Sequence, residues 1–163
     1  MQEIPKFKFL ILRDGDSNFL PSRGTSKATG WDVRAAPEDK QSIHIRPGQH
    51  TRIPLGIKAF CPNGWWLELR PRSSTFGKRH LSCLYGVIDE DYEGELLFAC
   101  QYLPDIKSMG SDLVIEYGEA IGQIIPVKRQ EMLVERVSFS EYNRLCHTRG
   151  DERGQGGFGS TTK

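Results

Sequence analysis

The 163-residue sequence predicts an all-β protein with one main domain, and three observations support that class. Apolar and polar residues alternate with a period of two in several short segments, which is typical of strands with one buried face. Turn-forming pairs such as Pro47-Gly48 separate these segments at intervals of roughly 8–12 residues. The composition, with 17 glycines and 9 prolines, suits a turn-rich sheet protein better than a helical bundle. The expected architecture is therefore a sandwich, jelly roll or barrel.

Each predicted strand is identified by alternate residues that share one face, nearly all of them apolar. These sets are Phe7, Phe9 and Ile11; Ile43 and Ile45; Ile53, Leu55, Ile57 and Ala59; Trp65, Leu67 and Leu69; Leu113, Ile115 and Tyr117; and Leu133, Glu135 and Val137. The one segment with the chemistry of a helix start is 73–78, where hydroxyl groups could cap a short helix. From Arg149 onward the sequence is too rich in glycine to build a core. We therefore expect a β-domain over 1–148 and a flexible arm over 149–163.

Charge and hydropathy exclude several classes of protein. Lys plus Arg total 22 against 21 Asp plus Glu, so the chain has no global basic field for nucleic acid or an anionic membrane. No apolar run approaches ~20 residues, and the first residues lack a signal sequence. We expect a protein that is not secreted and is cytoplasmic, or nuclear in a host cell if the source is viral, with no nucleic-acid or membrane partner. The four cysteines lack metal-site spacing and are expected to be reduced thiols.

The glycine-rich tail has two interpretations. It can be a plain flexible tail. It can also be a lid over a nucleotide, because glycines let backbone N–H groups approach an anion, the Arg153 guanidinium suits phosphate oxygens, and the Phe158 ring offers a flat face to a base.

Two further segments contain residues that suit phosphate chemistry. Arg72, Ser73 and Ser74 follow a predicted strand, where hydroxyl and amide groups could converge on a phosphate or simply cap a helix. Asp89 follows a short apolar run and could orient a water molecule, whereas Asp91 is most simply a turn residue.

In this order along the chain, the segments resemble the five motifs of the trimeric deoxyuridine triphosphatases (dUTPases). The motifs are matched by ATGWDV at 28–33, PRSS at 71–74, GVIDEDYEG at 86–94, GEAIGQ at 118–123 and RGQGGFGST at 153–161. The resemblance implies a jelly-roll-like subunit with the dUTPase fold (β-clip), a short helix after the second motif, and a mobile C-terminal arm that closes the active site. It also implies a homotrimer whose active sites are shared between chains.

The activity implied by the resemblance is Mg²⁺-dependent hydrolysis of dUTP to dUMP and pyrophosphate. This reaction limits uracil incorporation into DNA and supplies dUMP for dTMP synthesis. The Mg²⁺ ion would be held by the substrate triphosphate and water, so no protein residue is expected to be a metal ligand.

The resemblance also implies a role for each motif residue. Asp89 would be the base that deprotonates the attacking water, Gln123 would hold that water or the α-phosphate, and Asp32 would lie close by. Tyr92 would stack under the deoxyribose and exclude a 2′-hydroxyl. The other expected substrate-binding residues are Arg72, Ser73, Ser74 and Gly86, together with Arg153, Phe158, Gly159, Ser160 and Thr161 from the tail.

Two other functions compete with this one. A dCTP deaminase shares the fold and the Arg-Ser-Ser element, but Ala99 and Gly77 stand where that family has a catalytic Glu and its Arg partner. A non-catalytic nucleotide sensor or virus-encoded interaction protein is the alternative from another class. The sequence departs from the usual fourth motif at Glu119 and Ala120, where an Asp and an Arg are common, which leaves the support of that motif open.

Overall fold

The computed structural model describes residues 4–13 and 17–150, and over these residues it confirms the predicted all-β class. Eleven strands and two α-helices lie in this part of the chain, and the strands pair antiparallel throughout. The strands are β1 (Lys8–Ile11), β2 (Trp31–Arg34), β3 (Ile43–Ile45), β4 (His50–Pro54), β5 (Ile57–Phe60), β6 (Trp65–Pro71), β7 (Leu81–Cys83), β8 (Gly86–Ile88), β9 (Leu97–Tyr102), β10 (Leu113–Ile115) and β11 (Ala120–Lys128). The helices are α1 (Ser73–Gly77) and α2 (Phe139–Arg149).

The largest sheet has the strand order β2-β11-β6-β8 and positions most of the candidate site. In β6 the side chains alternate as predicted, because Leu67 and Leu69 are buried whereas Arg70 is exposed. In β11 the pairing with β2 shifts register between Ala120 and Gly122. Such an irregularity re-aims a strand, which explains why Ile121 and Ile124 are both buried although they are three residues apart.

Three smaller sheets complete the β-structure within the described residues. Their strand orders are β4-β9-β7, β1-β5 and β3-β10. The buried faces of the four sheets form one apolar cluster, and full burial of each large aliphatic or aromatic side chain contributes about 1.5–3 kcal/mol. The largest fully buried side chains include Phe98, Ile45, Ile53, Leu55, Ile57, Leu81, Leu96 and Ile115.

The predicted short helix after the second motif is confirmed as α1. The hydroxyl that supports its first turn belongs to Thr75, which accepts a hydrogen bond from the Arg72 backbone N–H at 3.3 Å. The same hydroxyl donates to the Ile121 carbonyl at 2.7 Å. Thr75 is buried, so one side chain both starts the helix and joins it to β11.

After β11, one predicted strand is wrong and one helix was not predicted. The segment 133–137 is not a strand, because its alternating set includes Glu135, and Leu133 and Val134 are exposed. The helix α2 was not predicted, although its start and end signals are present in the sequence. The Ser138 hydroxyl accepts a hydrogen bond from the Glu141 N–H at 3.2 Å, and Gly150 ends the helix in the left-handed region with φ of 69°.

The described chain divides into two compact units after Arg129, and α2 belongs to the second. The four cysteines have free thiols, as predicted. Neither α1 nor α2 has the length and apolar character that a helix needs to cross a bilayer.

Candidate active site

Residues from the first, second and fourth motifs meet in the four-stranded sheet. Asp32 in β2 is directly opposite Gln123 in β11, and Gln123 is opposite Arg70 on the other side, in β6. Arg72 follows β6 directly, so its side chain begins close to both. The antiparallel register therefore brings a carboxylate, an amide and a guanidinium from distant parts of the sequence to one end of the sheet.

The amide of Gln123 is held between two backbone segments. Its Nε2 donates a hydrogen bond to the Pro71 carbonyl at 3.0 Å. On the other side, a Cβ atom built on Gly30 would overlap the Gln123 Oε1. Gly30 is therefore required here for space and not for an unusual backbone angle. Gly30 of the first motif leaves space for the Gln123 side chain, and the Pro71 carbonyl of the second motif accepts the hydrogen bond that orients the amide.

The guanidinium of Arg72 is positioned by two contacts. Its Nε lies 3.1 Å from the Asp32 Oδ1, and its Nη1 donates to the Ala120 carbonyl at 3.3 Å. The side chain is still 37% exposed, so its remaining donors can reach a ligand. An oriented guanidinium with free donors is suited to phosphate oxygens. Ser73 and Ser74 follow it in the first turn of α1, with Ser73 exposed and Ser74 half-buried.

Glu119, one of the two departures from the usual fourth motif, has a charged partner in the structure. Glu119 forms an ion pair with Arg79 at 2.7 Å, and its other oxygen accepts a hydrogen bond from the Glu116 N–H at 3.1 Å. The Ala120 carbonyl contacts Arg72, as described above. The turn before β11 is therefore tied to the segment after α1 by Arg79, although Ala120 has no charged side chain.

The third motif forms β8 and the turn that follows it. β8 pairs with β6, so Gly86 is opposite Leu69, and a Cβ on Gly86 would lie 3.3 Å from the Leu69 Cβ. Asp89 comes directly after β8 and is exposed. Its carbonyl accepts a hydrogen bond from the Tyr92 N–H at 3.2 Å, which closes the turn.

The ring of Tyr92 folds back over its own turn. Its hydroxyl donates a hydrogen bond to the Glu95 carbonyl at 2.9 Å. A Cβ atom on Gly94 would overlap the Tyr92 hydroxyl, so the glycine is needed for this close approach. Tyr92 remains 43% exposed, and its ring is available as a wall for a ligand.

Within one chain, Asp89 lies far from Gln123. The register places Asp89 one step beyond the Ile88–Leu67 pair, whereas Gln123 is paired with Arg70. These positions differ by four residues along β6, or roughly 13 Å, and by two strand spacings, or about 10 Å. Within the described chain the candidate residues therefore form two separate groups, here called partial sites, one with Asp32, Arg72 and Gln123 and one with Asp89 and Tyr92.

The remaining predicted residues lie outside the described part of the chain. They are Arg153, Phe158, Gly159, Ser160 and Thr161. Among the described residues there is no group of three or more His, Cys, Asp or Glu side chains that could hold a metal ion. Carboxylate oxygens such as those of Asp32 and Asp89 are chemically compatible with a Mg²⁺ ion that is bound to phosphate and water.

Sequence reasoning missed the residues that support the site. Thr75, Arg79 and Glu95 lie next to motif residues, but their role depends on hydrogen bonds that close only in three dimensions. The signal that could have found Thr75 is its position three residues after Arg72, where the third residue of a helix can cap the first turn.

The chain is similar in sequence to known proteins of one family. The family model described as dUTPase matches residues 17–162. The deoxyuridine 5′-triphosphate nucleotidohydrolase of Anaplasma marginale is 34% identical over 96% of this chain and 97% of its own length. The corresponding protein of Brucella melitensis is 36% identical over 87% of this chain and 83% of its own length.

A solved structure shows the same fold at lower identity. It is a variant of the Staphylococcus bacteriophage 80alpha dUTPase with dUpNHpp, with a TM-score of 0.75 and 22% identity. The match covers 95% of this chain and 97% of that one. The jelly-roll-like fold predicted from the sequence is thereby confirmed, and the chain belongs to the dUTPase family.

Proposed function

We propose that this protein hydrolyses dUTP to dUMP and pyrophosphate, with the two partial sites brought together between subunits of a homotrimer. The observation that carries the proposal is the meeting of Asp32, Arg72 and Gln123 at one end of the sheet, beside the serines of α1. A guanidinium, an oriented amide and hydroxyl groups suit a phosphate chain. Relatives that are more than 30% identical carry the name of this activity.

In the proposed reaction, the Asp89 carboxylate accepts a proton from a water molecule. The water oxygen forms a bond to the α-phosphorus, and the bond between that phosphorus and the bridging oxygen of the β-phosphate breaks. The products are dUMP and pyrophosphate. The exposure of Asp89 and its location in a tight turn are compatible with this role, because a base must reach a water that belongs to the ligand site.

Gln123 and Arg72 act on the phosphates. The Gln123 amide is fixed through its Nε2, which leaves Oε1 as the atom able to accept from the attacking water. Arg72, with Ser73 and Ser74, neutralises and orients the phosphate oxygens, and Asp32 holds the Arg72 guanidinium. Holding the α-phosphate and the water in a fixed geometry supplies much of the rate enhancement expected for such an enzyme.

The sharing of sites is supported by the separation of Asp89 from Gln123 within one chain. A trimer with closed threefold symmetry would set Asp89 and Tyr92 of one subunit against Asp32, Arg72 and Gln123 of a neighbour. The arm over 149–163 would then close over the ligand, with Phe158 covering the uracil, Arg153 reaching the γ-phosphate, and Gly159, Ser160 and Thr161 contacting phosphates. Closure would exclude bulk water.

Mg²⁺ is the proposed cofactor. Bound to the triphosphate and to water, it would neutralise charge on the phosphates. Because the triphosphate and water would hold the ion, no protein carboxylate is assigned as its ligand.

The base and the sugar would be recognised by different parts of the third motif. Tyr92 forms the wall against the deoxyribose, where a 2′-hydroxyl would collide with the ring. Gly86, the first residue of β8, would contribute backbone groups to the recognition of the uracil.

The proposal is tested by measuring pyrophosphate release from dUTP, dCTP, dTTP and UTP in the presence of Mg²⁺. Rapid release from dUTP alone is expected. A protein that binds dUTP without hydrolysing it would be a sensor, and release of ammonia from dCTP would indicate a deaminase. Either result would contradict the proposed function.

A further inference from the structure

A largely buried ion pair involves Glu95, the residue whose carbonyl accepts the Tyr92 hydroxyl, and none of the five motifs contains the cationic member of the pair. Arg13 Nη2 lies 2.7 Å from the Glu95 Oε1, and the two side chains are only 10% and 25% exposed. Arg13 Nε also donates to the Ala36 carbonyl at 2.8 Å. A buried charge of this kind is costly unless it is paired and hydrogen-bonded, and here both conditions are met.

The same carboxylate oxygen fixes a second backbone segment. Glu95 Oε1 accepts a hydrogen bond from the Gly56 N–H at 2.9 Å. Gly56 has φ of 66°, and a Cβ atom there would lie 2.7 Å from the Ala36 Cβ and 3.0 Å from the Arg13 Cγ. The segment around Gly56, Arg13 and Glu95 is therefore closely packed, and a displacement of one member moves the others.

Glu95 transmits this position to Tyr92. The Glu95 carbonyl is the acceptor for the Tyr92 hydroxyl at 2.9 Å. The next residue, Leu96, is fully buried and hydrogen-bonded through its backbone to Ile57 at 2.9 Å. Glu95 is thus held by its side chain on one side and by Leu96 on the other. The exposed ring of Tyr92 is attached to this fixed point.

We propose that Arg13 is a positioning residue for Tyr92, acting through Glu95, and that it sets how strictly the protein selects a 2′-deoxyribose. The inference rests on the proposed function, in which the Tyr92 ring excludes the 2′-hydroxyl. A wall excludes a hydroxyl group only if it cannot move by the size of that group. The Arg13–Glu95 pair supplies this rigidity through Glu95, whose carbonyl holds the Tyr92 hydroxyl.

The test compares kcat/KM for dUTP and for UTP in the wild type and in Arg13→Met. We expect the ratio of the two values to fall roughly five- to tenfold, the change that one lost positioning hydrogen bond corresponds to. The kcat for dUTP should stay within about threefold, because Asp89 and Gln123 are not touched. Arg13→Lys keeps the positive charge beside Glu95 and should restore most of the selectivity.

A matched control separates positioning from general loss of stability. Ile45 is fully buried in β3, so Ile45→Val should lower the unfolding midpoint and leave the dUTP/UTP ratio unchanged. Tyr92→Phe removes the hydroxyl that contacts Glu95. If Arg13 acts through that contact, Arg13→Met combined with Tyr92→Phe should be no less selective than Tyr92→Phe alone. Effects that multiply would overturn the proposal, as would an unchanged ratio in Arg13→Met.

Two provisions keep the test decisive. If Arg13→Met does not fold, Arg13→Met combined with Glu95→Gln removes both charges, so that no buried charge is left unpaired. If the wild type does not hydrolyse dUTP, the proposed function fails, and the positioning link is tested separately by amide hydrogen exchange without ligand. Exchange of the Tyr92 N–H should then be faster in Arg13→Met and unchanged in Ile45→Val. Equal exchange in all three proteins would overturn the link.

Discussion

The side-chain amide of Gln123 occupies the space that a methyl group on Gly30 would fill. Gly30 comes just before β2 and Gln123 lies in β11, so two motifs that are far apart in sequence depend on each other for shape. Because Gly30 has no side chain, the Gln123 Oε1 can lie against it. The hydrogen bond to the Pro71 carbonyl fixes the direction of the Gln123 Nε2.

Gly30→Ala should therefore displace the Gln123 amide and lower kcat by roughly 10–10²-fold, since a misplaced positioning group loosens the reacting geometry. Gly24→Ala is the matched control, because a Cβ on Gly24 meets no atom within 4 Å. Steady-state kinetics with dUTP measures both variants. Equal rates for the two would contradict the role given to the Gln123 amide.

The sequence predicts buried faces and motif residues but not the contacts between distant strands. Period-two alternation predicts most strands because a sheet with one buried face has an apolar residue at every second position, as in β6 with Leu67 and Leu69. The motif residues are predicted because their resemblance to a family identifies them. The contacts of Gly30 with Gln123 and of Arg13 with Glu95 are not predictable in this way, since they depend on which strands become neighbours.

The failure after β11 has a different cause. Between 130 and 138 the apolar residues Leu133 and Val134 are exposed, so their pattern does not record burial in a sheet. The following helix α2 has capping signals at Ser138 and Gly150, which a search for alternation does not detect. A count of local cap residues would have predicted α2 better than periodicity did.

Gly94→Ala should push the Tyr92 ring away from its turn, because the new methyl group would overlap the hydroxyl and the ring. We expect the preference for dUTP over UTP to fall roughly tenfold, with a smaller change in kcat for dUTP. The ratio of kcat/KM values for the two nucleotides is the measurement. Gly110→Ala, whose added Cβ meets nothing within 4 Å, serves as the control. A preference that is unchanged in Gly94→Ala would place sugar selection elsewhere.

Asp89→Asn should lower kcat by roughly 10²–10⁴-fold, the usual contribution of a positioned general base. Affinity for dUTP should change by no more than about threefold, because the phosphate contacts are retained. Asp91 lies two residues further along the same exposed turn, so Asp91→Asn is a suitable control for charge and for turn structure. Single-turnover kinetics and equilibrium binding test the two expectations separately. Near-normal turnover in Asp89→Asn would rule out the assigned role.

Cys83 in β7 and Cys100 in β9 lie opposite each other in the sheet and have free thiols. They predict that the protein loses stability at alkaline pH. Burial raises the pKa of Cys83 to about 11 and that of Cys100 to about 12, and Cys83 and Cys100 are direct partners in the ladder. The folded state therefore disfavours the thiolates. This contribution to stability is complete below the ordinary thiol pKa of 9.0 and is lost as the pH rises through the raised values.

The free energy of unfolding should accordingly fall between about pH 9 and pH 11 more steeply in the wild type than in Cys83→Ala. Urea denaturation across this pH range provides the measurement. Comparison with the variant cancels the titration of lysines and tyrosines elsewhere in the chain. Parallel curves for the two proteins would show that burial does not perturb the Cys83 thiol.

The separation of Asp89 from Gln123 within one chain makes the shared site testable with two inactive proteins. Asp89→Asn lacks the base, and Gln123→Ala lacks the amide that positions the water or the α-phosphate. If each site takes Asp89 from one subunit and Gln123 from its neighbour, a trimer that contains both variants has one site in which both groups are intact. Each variant alone, unfolded and refolded in the same way, is the control and should stay nearly inactive.

Mixing the two variants in equal amounts before refolding should give mixed trimers in about three quarters of cases under random assembly. With one intact site among three in each mixed trimer, about one quarter of wild-type activity should return. The activity should rise only after refolding, since intact trimers cannot exchange the two groups. A tag on one variant, recovered together with the other, confirms that subunits have mixed. Mixed trimers without recovered activity would mean that Asp89 and Gln123 work within one chain, against the distance that the sheet register sets between them.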